Sequence, residues 1–385
     1  MGHCQYINHN TNKSIILCNF MAPKENNSEN QTEVISQINT NSLNSKNINE
    51  EMIRLMIEKN IPLGVYISIN DYKNQINEKI FNYIENHKLN YQYYHPSSFN
   101  SYKSNPIQFK NGNIYYGSWN ANGEMEGYGI YLIKEKNTVV EGIWEKGNNI
   151  YGRIFIPNGD MYEGEIKNSL PHGKGYIYFS NKEIYKGDFV NGEMTGIGTF
   201  IYKDGSYYCG KIEKGSFNGE GSLKWNNETE YHGNFTDSTI SGKGKMFNNI
   251  LGEKYVGNFD KNEFHGKGVY SYKNGDIYDG NFEYGIKKGK GIYKRFGGVE
   301  FDLEWDDDLP NGKGFVKYKN NTLEGLWRNG KIINKKIIKG DIDIFKDIDL
   351  NIKPIKECLF LSSLPHLNTV VNETSQSISK TEWNF

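Results

Sequence analysis

Aromatic residues alternate with polar residues through the middle of the chain, in a unit that recurs many times. The unit reads aromatic, any residue, Gly, any residue, aromatic or Ile, and continues seven residues later with Gly-x-Gly and a second β-prone run. Side chains two residues apart share one face of a β-strand, so each unit predicts two short strands joined by a turn. The predicted fold is mainly β, an elongated single-layer antiparallel array of β-hairpins.

The clearest copies of this unit are regularly spaced. They are Tyr162 with Gly164, Tyr185 with Gly187, Tyr208 with Gly210, Tyr231 with Gly233, Tyr255 with Gly257, and Tyr278 with Gly280. The first glycine advances by 23 residues from copy to copy, apart from a single insertion within 248–253. Less regular copies flank these six, as expected where an array is capped, so about nine copies and a partial one are predicted.

Each unit places its two aromatic residues and its first glycine on one face of a strand. Glycine leaves room above the backbone, and we expect aromatic rings from adjacent copies to lie over the resulting strip of glycines. Asn-Gly and Asp-Gly pairs supply the positive φ angles that tight hairpin turns need. These pairs begin at Asn111, Asn158, Asp204 and Asn274.

The regular architecture is confined to the middle of the chain. Of the 42 glycines, all but Gly2, Gly64 and Gly340 lie between Gly112 and Gly330. The array is therefore predicted to adjoin a small α/β region on its N-terminal side. The predicted segments are a β-hairpin (1–20), a disordered linker (21–48), a helical capping region (49–105), the repeat array (106–332), and a capping strand with a polar tail (333–385).

Two helices are predicted in the N-terminal flank, with Asn49 and Asn70 as candidate N-caps. In the second helix the apolar residues recur at steps of four and share one face. They are Tyr72, Ile76, Ile80 and Ile84. These helices either cover the open edge of the first repeat, as the end of a solenoid requires, or form an arm that binds a partner.

The C-terminal flank alternates apolar and charged residues between Ile333 and Leu350. Acidic residues at alternate positions from Asp341 are also a feature of EF-hand calcium loops. However, Lys346 occupies the sixth position of that stretch, where such a loop needs glycine. The pattern favours a capping strand over a calcium site.

Composition argues against several functional classes. The 45 Lys and Arg residues against 46 Asp and Glu leave a net charge of −1, which gives no whole-molecule attraction for nucleic acid. The four cysteines form no CxxC pair, so neither a disulfide framework nor a structural zinc site is predicted. No apolar run is long enough to span a bilayer, and the N-terminus lacks a signal-peptide core. Acylation at Gly2 and Cys4 stays open, although Tyr6 stands where that pattern has Ser or Thr.

The repeat resembles the MORN (membrane occupation and recognition nexus) family. The family pattern is close to Tyr-Glu-Gly-Glu-Trp, an Asn-Gly turn and His-Gly-Lys-Gly, and residues 162–166 with 172–175 reproduce it nearly completely. Residues 264–268 give a second partial match. The resemblance implies an accessory or scaffolding role. Similar arrays occur in proteins that link two membranes, in plant phosphatidylinositol phosphate kinases, in ciliary radial-spoke heads and in protist cortical cytoskeleton, and phospholipid binding or dimerisation is attributed to them.

Lysine occupies the position between the paired glycines in several copies. These candidate lipid-contact residues are Lys174, Lys243, Lys267, Lys290 and Lys313. Stacked hairpins would place the last four about 10 Å apart, and each would contribute about 1 kcal/mol near an anionic lipid surface. The alternative is a solvated face of mixed charge, because Ile197 and Glu220 interrupt the row and acidic residues lie on neighbouring strands.

The sequence predicts no catalytic residue, no cofactor site and no metal site. Nucleophile elbows and kinase signatures are missing, and the Gly-x-Gly pairs lie between strands rather than ahead of a helix. The leading hypothesis is a cytoplasmic, non-enzymatic scaffold that binds other proteins, itself or anionic phospholipids, at a membrane or the cortical cytoskeleton. The alternatives are a targeting subunit of an enzyme such as a phosphatidylinositol phosphate kinase, and a soluble ciliary or cytoskeletal dimerisation module.

Overall fold

The computed structural model of the protein describes the repeat region and short stretches before it. The described residues are 64–66, 69–87, 89, 102–103 and 105–352. All of them belong to one unit of the chain, residues 49–385. The predictions that lie outside the described residues are the hairpin at 1–20 with its acylation sites, the linker at 21–48, the helix after Asn49, and the tail beyond 352.

The described residues form one antiparallel sheet of 24 strands with two short α-helices on it. The helices are α1 (Ile69–Lys73) and α2 (Glu78–Asn86), and a 3₁₀ turn follows the last strand at Ile342–Phe345. The strands are β1 (Gly64–Tyr66), β2 (Tyr102–Lys103), β3 (Ile107–Phe109), β4 (Ile114–Trp119), β5 (Met125–Ile133), β6 (Thr138–Glu145), β7 (Asn148–Phe155), β8 (Met161–Lys167), β9 (Leu170–Tyr178), β10 (Ile184–Val190), β11 (Glu193–Ile201), β12 (Tyr207–Glu213), β13 (Ser216–Lys224), β14 (Thr229–Thr236), β15 (Thr239–Asn248), β16 (Glu253–Asp260), β17 (Glu263–Ser271), β18 (Ile277–Glu283), β19 (Ile286–Lys294), β20 (Glu300–Asp306), β21 (Leu309–Pro310), β22 (Gly312–Tyr318), β23 (Asn321–Arg328) and β24 (Lys331–Lys339).

From β3 onward the sheet is a meander in which each strand pairs with the next one along the chain. Three pairings depart from this order. Strand β1 pairs with β3, β2 pairs with the end of β4, and β21 and β22 both pair with β20. The predicted fold, a mainly β antiparallel array of hairpins, is confirmed.

Two kinds of turn connect the strands. Within a copy, a two-residue turn has positive φ at both residues, as at Lys214 (φ 51°) and Gly215 (φ 80°), which suits the twist of a hairpin. Between copies, the predicted Asn-Gly and Asp-Gly pairs lie in turns, but only the glycine has positive φ, as at Gly205 (φ 88°). The preceding Asp204 instead accepts a hydrogen bond from the backbone N–H of Ser206 at 2.8 Å.

Each repeat tyrosine covers the two glycines of its own hairpin. Gly210 and Gly221 face each other across β12 and β13, and a Cβ on Gly221 would lie 2.6 Å from the Tyr208 hydroxyl oxygen. That hydroxyl donates to the Lys211 carbonyl at 2.7 Å, where the ladder is bulged. The expectation that rings from adjacent copies cover the glycines is therefore wrong, because the hydroxyl reaches a bulged carbonyl three residues along its own strand.

Rings of neighbouring copies meet edge-on. The ring of Tyr208 lies 5.1 Å from that of Phe235 in the next copy at an interplanar angle of 90°, and Phe217 stacks on Tyr208 at 3.6 Å. The same arrangement recurs at Tyr255 with Phe282. We call this series of alternating rings the ring ladder, its side of the sheet the ring face, and the other side the open face.

One copy has a lysine where others stack an apolar side chain on the tyrosine. Lys287 is 1% exposed, and its Nζ lies 5.6 Å from the ring of Tyr278 and 5.5 Å from that of Trp305. The same Nζ is 3.6 Å from Asp308 Oδ1. Aromatic rings and a carboxylate therefore offset the cost of burying this ammonium group.

Helices α1 and α2 cover the open face of β4–β8. Tyr72, Ile76 and Ile84 are buried against it, as their spacing predicts. A single helix from Asn70 is wrong, because the chain leaves α1 after Lys73 and Asn77 caps α2 by accepting the N–H of Lys79 at 2.9 Å. The helices lie on the face of the first hairpins and not along the sheet edge, because the apolar residues that match theirs are on that face. These sheet residues are Ile114, Ile130, Leu132, Val139, Phe155 and Met161.

A buried ion cluster holds the end of α2 against the sheet. Arg153 donates to Glu163 at 2.9 Å, lies 3.3 Å from Glu141 and donates to the carbonyl of His87. The Tyr128 hydroxyl donates to Glu141 at 2.9 Å. Burial raises the pKa of the fully buried Glu141 above its ordinary value, while the contacts with Tyr128 and Arg153 act in the opposite direction.

The last strand belongs to the repeat sheet, so the predicted boundary at 332 falls inside β24. The turn at Asn329 and Gly330 returns the chain beside β23, which is why the strand starts earlier than predicted. The chain then crosses the ring face, where Trp327 Nε1 donates to the Leu350 carbonyl at 3.1 Å and Ile352 donates its N–H to Gly330. The residues that follow β24, up to Ile352, therefore cap the ring ladder, and the predicted capping strand does not.

Candidate binding surface on the open face

The residue between the paired glycines lies on the open face, because the second glycine of each pair faces the ring ladder. All five predicted lipid-contact lysines are exposed there, on β9, β15, β17, β19 and β22. Lys243, Lys267 and Lys290 lie on alternate strands of one continuous stretch and form a row. Two strand spacings separate neighbouring lysines, which corresponds to roughly 10 Å.

Asparagines lie between the lysines of this row. Lys243 pairs with Asn258, and Lys267 with Asn281. The Asn258 amide donates to the Lys267 carbonyl at 3.3 Å, and Asn281 to the Lys290 carbonyl at 3.2 Å. These asparagines are neutral, and among the described residues no carboxylate oxygen lies within 4.0 Å of an ammonium group of the row.

The other two predicted lysines lie apart from this row. Lys174 forms an ion pair with Asp188, and its backbone N–H donates to Glu165 at 3.1 Å. Ile197 and Glu220 occupy the corresponding positions of the two copies that follow, so Lys174 does not join the row. At the other end, the acidic strand β20 separates Lys313 from the rest.

Three further lysines extend the row into a patch. Lys245, Lys254 and Lys294 are exposed on the open face of β15, β16 and β19, and Lys254 Nζ lies 5.3 Å from the ring of Phe247. We define the lysine patch as Lys243, Lys245, Lys254, Lys267, Lys290 and Lys294. The patch lies in three cross-strand rows of β15–β19, which start on β15 at Lys243, Lys245 and Phe247. These rows hold one acidic side chain, Asp279, which is registered with the apolar residues Val269 and Ile292.

Strand β20 bounds the lysine patch with negative charge. Glu304 is registered with Lys290, and Glu300 lies 3.2 Å from Lys294 and 3.5 Å from Lys317. Burial raises the pKa of Glu300, but these two lysines outweigh it and hold the pKa below its ordinary value. The predicted row of four lysines is therefore a row of three, followed by an ion-paired strand and then Lys313.

The sequence contained the signal for the missed lysines. Lys245 follows Lys243 by two residues, so strand periodicity already places both on one face. Lys294 follows Lys290 by four residues on β19, so the same periodicity applies to it. Lys254 needs cross-strand register, which its pairing with Phe247 supplies.

Metal-ligand clusters and membrane-spanning helices are both missing from the described part of the chain. It holds no group of three His, Cys, Asp or Glu side chains placed to bind a metal ion. None of its helices is long and apolar enough to cross a membrane.

Similarities to solved structures are weak. The TCP10 domain of Danio rerio CPAP, solved with a peptide of STIL, is 11% identical with a TM-score of 0.30, over 60% of this chain and 92% of that one. The TCP domain of Drosophila melanogaster SAS-4, solved with a proline-rich motif of Ana2, is 11% identical with a TM-score of 0.22, over 50% and 85%. TM-scores this low do not establish a shared fold. No curated protein matches the sequence.

The MORN repeat model matches six segments of the chain. They are 115–135, 162–183, 185–207, 255–277, 278–298 and 304–323. The hairpins β12–β13 and β14–β15 lie between matched segments and carry the same tyrosine over the same glycine pair. Because matched repeats recur from residue 115 to residue 323 on one continuous ring ladder, the chain belongs to the MORN-repeat family.

Proposed function

We propose that this protein is a non-enzymatic scaffold that binds partner proteins through its repeat sheet and an anionic membrane surface through the lysine patch. The family is generally non-enzymatic, and its repeats suggest a scaffold or protein-binding role. The observation that supports the membrane contact is the concentration of exposed lysines in three cross-strand rows of the open face whose one acidic side chain is Asp279. The proposed place of action is the cytoplasmic face of a membrane or the cortical cytoskeleton.

The size of the lysine patch suits a multivalent contact with lipid headgroups. Five strands about 4.8 Å apart place its ammonium groups within about 20 Å across the strands. Each lysine near an anionic leaflet contributes about 1 kcal/mol. Because Lys294 is paired with Glu300, the other five lysines contribute about 5 kcal/mol before the cost of orienting the protein. Mobile ions screen such an interaction over about 8 Å at physiological salt, so binding is expected to weaken as salt rises.

Sedimentation with liposomes tests the membrane contact. We expect the wild-type protein to sediment with vesicles that contain phosphatidylinositol phosphates and not with neutral vesicles. A variant with the patch residues Lys243, Lys245, Lys267 and Lys290 changed to Glu is expected to lose this sedimentation. A matched control changes four exposed lysines beside the turns between copies, for the same change in net charge. These control positions are Lys110, Lys134, Lys203 and Lys273.

The two variants separate a patch from a general effect of charge. If the control variant loses as much sedimentation as the patch variant, net charge alone is responsible and the lysine patch is not the binding surface. Unchanged sedimentation of the patch variant would also refute the membrane contact, and would leave a protein-binding scaffold that does not touch lipid.

A further inference from the structure

Strand β24 forms one edge of the sheet in the described part of the chain. Among the described residues this strand pairs only with β23, so the hydrogen-bonding groups on its outer side have no strand beside them. None of its nine residues is buried, and Ile333 and Ile338 are 51% and 52% exposed. An unpaired edge of this length is a template for a further strand. One outward N–H, that of Ile332, already donates to Asn351 Oδ1 at 3.3 Å, close to the turn.

The charge on this edge has one sign. Strand β24 carries lysines and no acidic residue, and these are Lys331, Lys335, Lys336 and Lys339. A pocket of about 220 Å³ lies beside them on β22–β24, lined by Lys313, Lys335, Lys336, Glu324, Asn334 and Leu326. Three lysines and one glutamate thus line a space large enough for an acidic side chain.

The same lysines disfavour pairing with a second copy of this chain. Two β24 strands side by side would bring lysines against lysines, and like charges opposite each other destabilise a strand pair. Lysine on an edge strand is a common means of blocking such self-association. A strand that carries acidic residues meets no such barrier, because each of its carboxylates would lie near an ammonium group.

We infer that β24 is a docking edge for an extended acidic segment of a partner protein, which adds to the sheet as a further strand. Backbone hydrogen bonds along β24 would supply affinity, and the pocket and the surrounding lysines would select carboxylate side chains. The site is separate from the lysine patch, so it stands whether or not the protein contacts lipid.

Fluorescence anisotropy on the full-length protein tests this inference. The probe is a labelled peptide that alternates glutamate with valine and threonine. Two control peptides have lysine in place of glutamate, or prolines that prevent strand pairing. We expect the acidic peptide alone to bind. Changing Lys335 and Lys336 to Glu is expected to weaken that binding by about tenfold or more, whereas changing Lys243 and Lys267 to Glu leaves it unchanged.

Amide hydrogen exchange identifies the binding mode. Strand addition is expected to slow exchange in residues 331–339, which attraction between charges alone would not do. The inference is overturned if the acidic peptide does not bind, if the proline peptide binds equally well, if both lysine variants lose binding equally, or if exchange in β24 is unchanged. Liposome sedimentation of the Lys335→Glu, Lys336→Glu variant is expected to match wild type, so this test and that of the membrane contact fail separately.

Discussion

Replacing Gly221 with alanine tests the contact on which every repeat depends. The added Cβ would lie 2.6 Å from both the hydroxyl oxygen and one ring carbon of Tyr208, well inside van der Waals contact. The ring has no space to move away, because Phe217 stacks on its other side at 3.6 Å and Phe235 meets it edge-on at 5.1 Å. The methyl group therefore has to displace the tyrosine from its hydrogen bond to Lys211.

The expected cost follows from three contributions. Overpacking of a close-packed site costs about 1–3 kcal/mol, and the lost hydrogen bond of the buried hydroxyl costs about 1 kcal/mol. The smaller conformational entropy of alanine in the unfolded chain returns about 0.4–1 kcal/mol. We therefore expect Gly221→Ala to destabilise the β12–β13 hairpin by about 1–3.5 kcal/mol. Tyr208→Phe, which removes only the hydrogen bond, is expected to cost about 1 kcal/mol.

Gly297→Ala is the matched control, because a Cβ at Gly297 meets no atom within 4 Å and the residue has no positive φ. A long repeat array need not unfold in one step, so the free energy of local opening is best measured by amide hydrogen exchange in β12 and β13. Gly221→Ala should also cost much less in a Tyr208→Ala background, where the ring is gone. Equal stability of the Gly221 and Gly297 variants would refute the account of the ring ladder.

Three further outcomes are expected. Burial raises the pKa of the ladder tyrosines above their ordinary value, so the stability they contribute is complete below pH of about 10 and is lost as pH rises above it. Tyrosinate absorbance should therefore rise together with the loss of β-sheet circular dichroism. Tyrosines that ionise in an intact sheet would contradict this expectation. Lys287→Phe should change the free energy of unfolding by less than about 1.5 kcal/mol in urea titrations. The reverse change, Phe264→Lys, should cost about 3 kcal/mol or more, because the copy that contains Phe264 has no carboxylate in the position of Asp308. Equal effects would refute the role given to that carboxylate. Arg153→Leu should speed amide exchange in α2 by leaving Glu141 buried without its partner, and the double variant with Glu141→Leu should recover most of the protection.

The sequence was sufficient to identify the strands and residues of the ring face, but not all of their contacts and not the charge pattern of the open face. Tyrosine and glycine recur with both strand and repeat periodicity, so residues such as Tyr208 and Gly210 identify strands, faces and copies together. The hydrogen bond from Tyr208 to Lys211 could not be predicted, because it depends on a bulge in the strand pairing that the residue pattern does not show. For that reason the residue pattern predicts that rings of adjacent copies cover the glycines, whereas Tyr208 covers those of its own hairpin.

The open face depends on pairings between distant residues. The row of Lys243, Lys267 and Lys290 was predictable from the repeat, but its interruption at β20 required knowing that Lys290 lies opposite Glu304. The docking of α2 was also hidden, because Arg153 lies in a copy whose pattern is irregular and its partners lie on other elements. Local periodicity predicts elements, whereas charge complementarity across strands follows from register alone.

Because each tyrosine covers the glycines of its own hairpin, such arrays can gain or lose whole copies during evolution. Each tyrosine finds its glycines and its hydrogen-bond acceptor in its own copy and needs only one ring from the next. Deleting or duplicating a whole 23-residue copy would therefore join two compatible ends, and would change the distance between the terminal helices and the last strand in steps of two strand spacings, about 9–10 Å. Gene duplication can thus adjust the spacing of attached partners without redesigning a single contact.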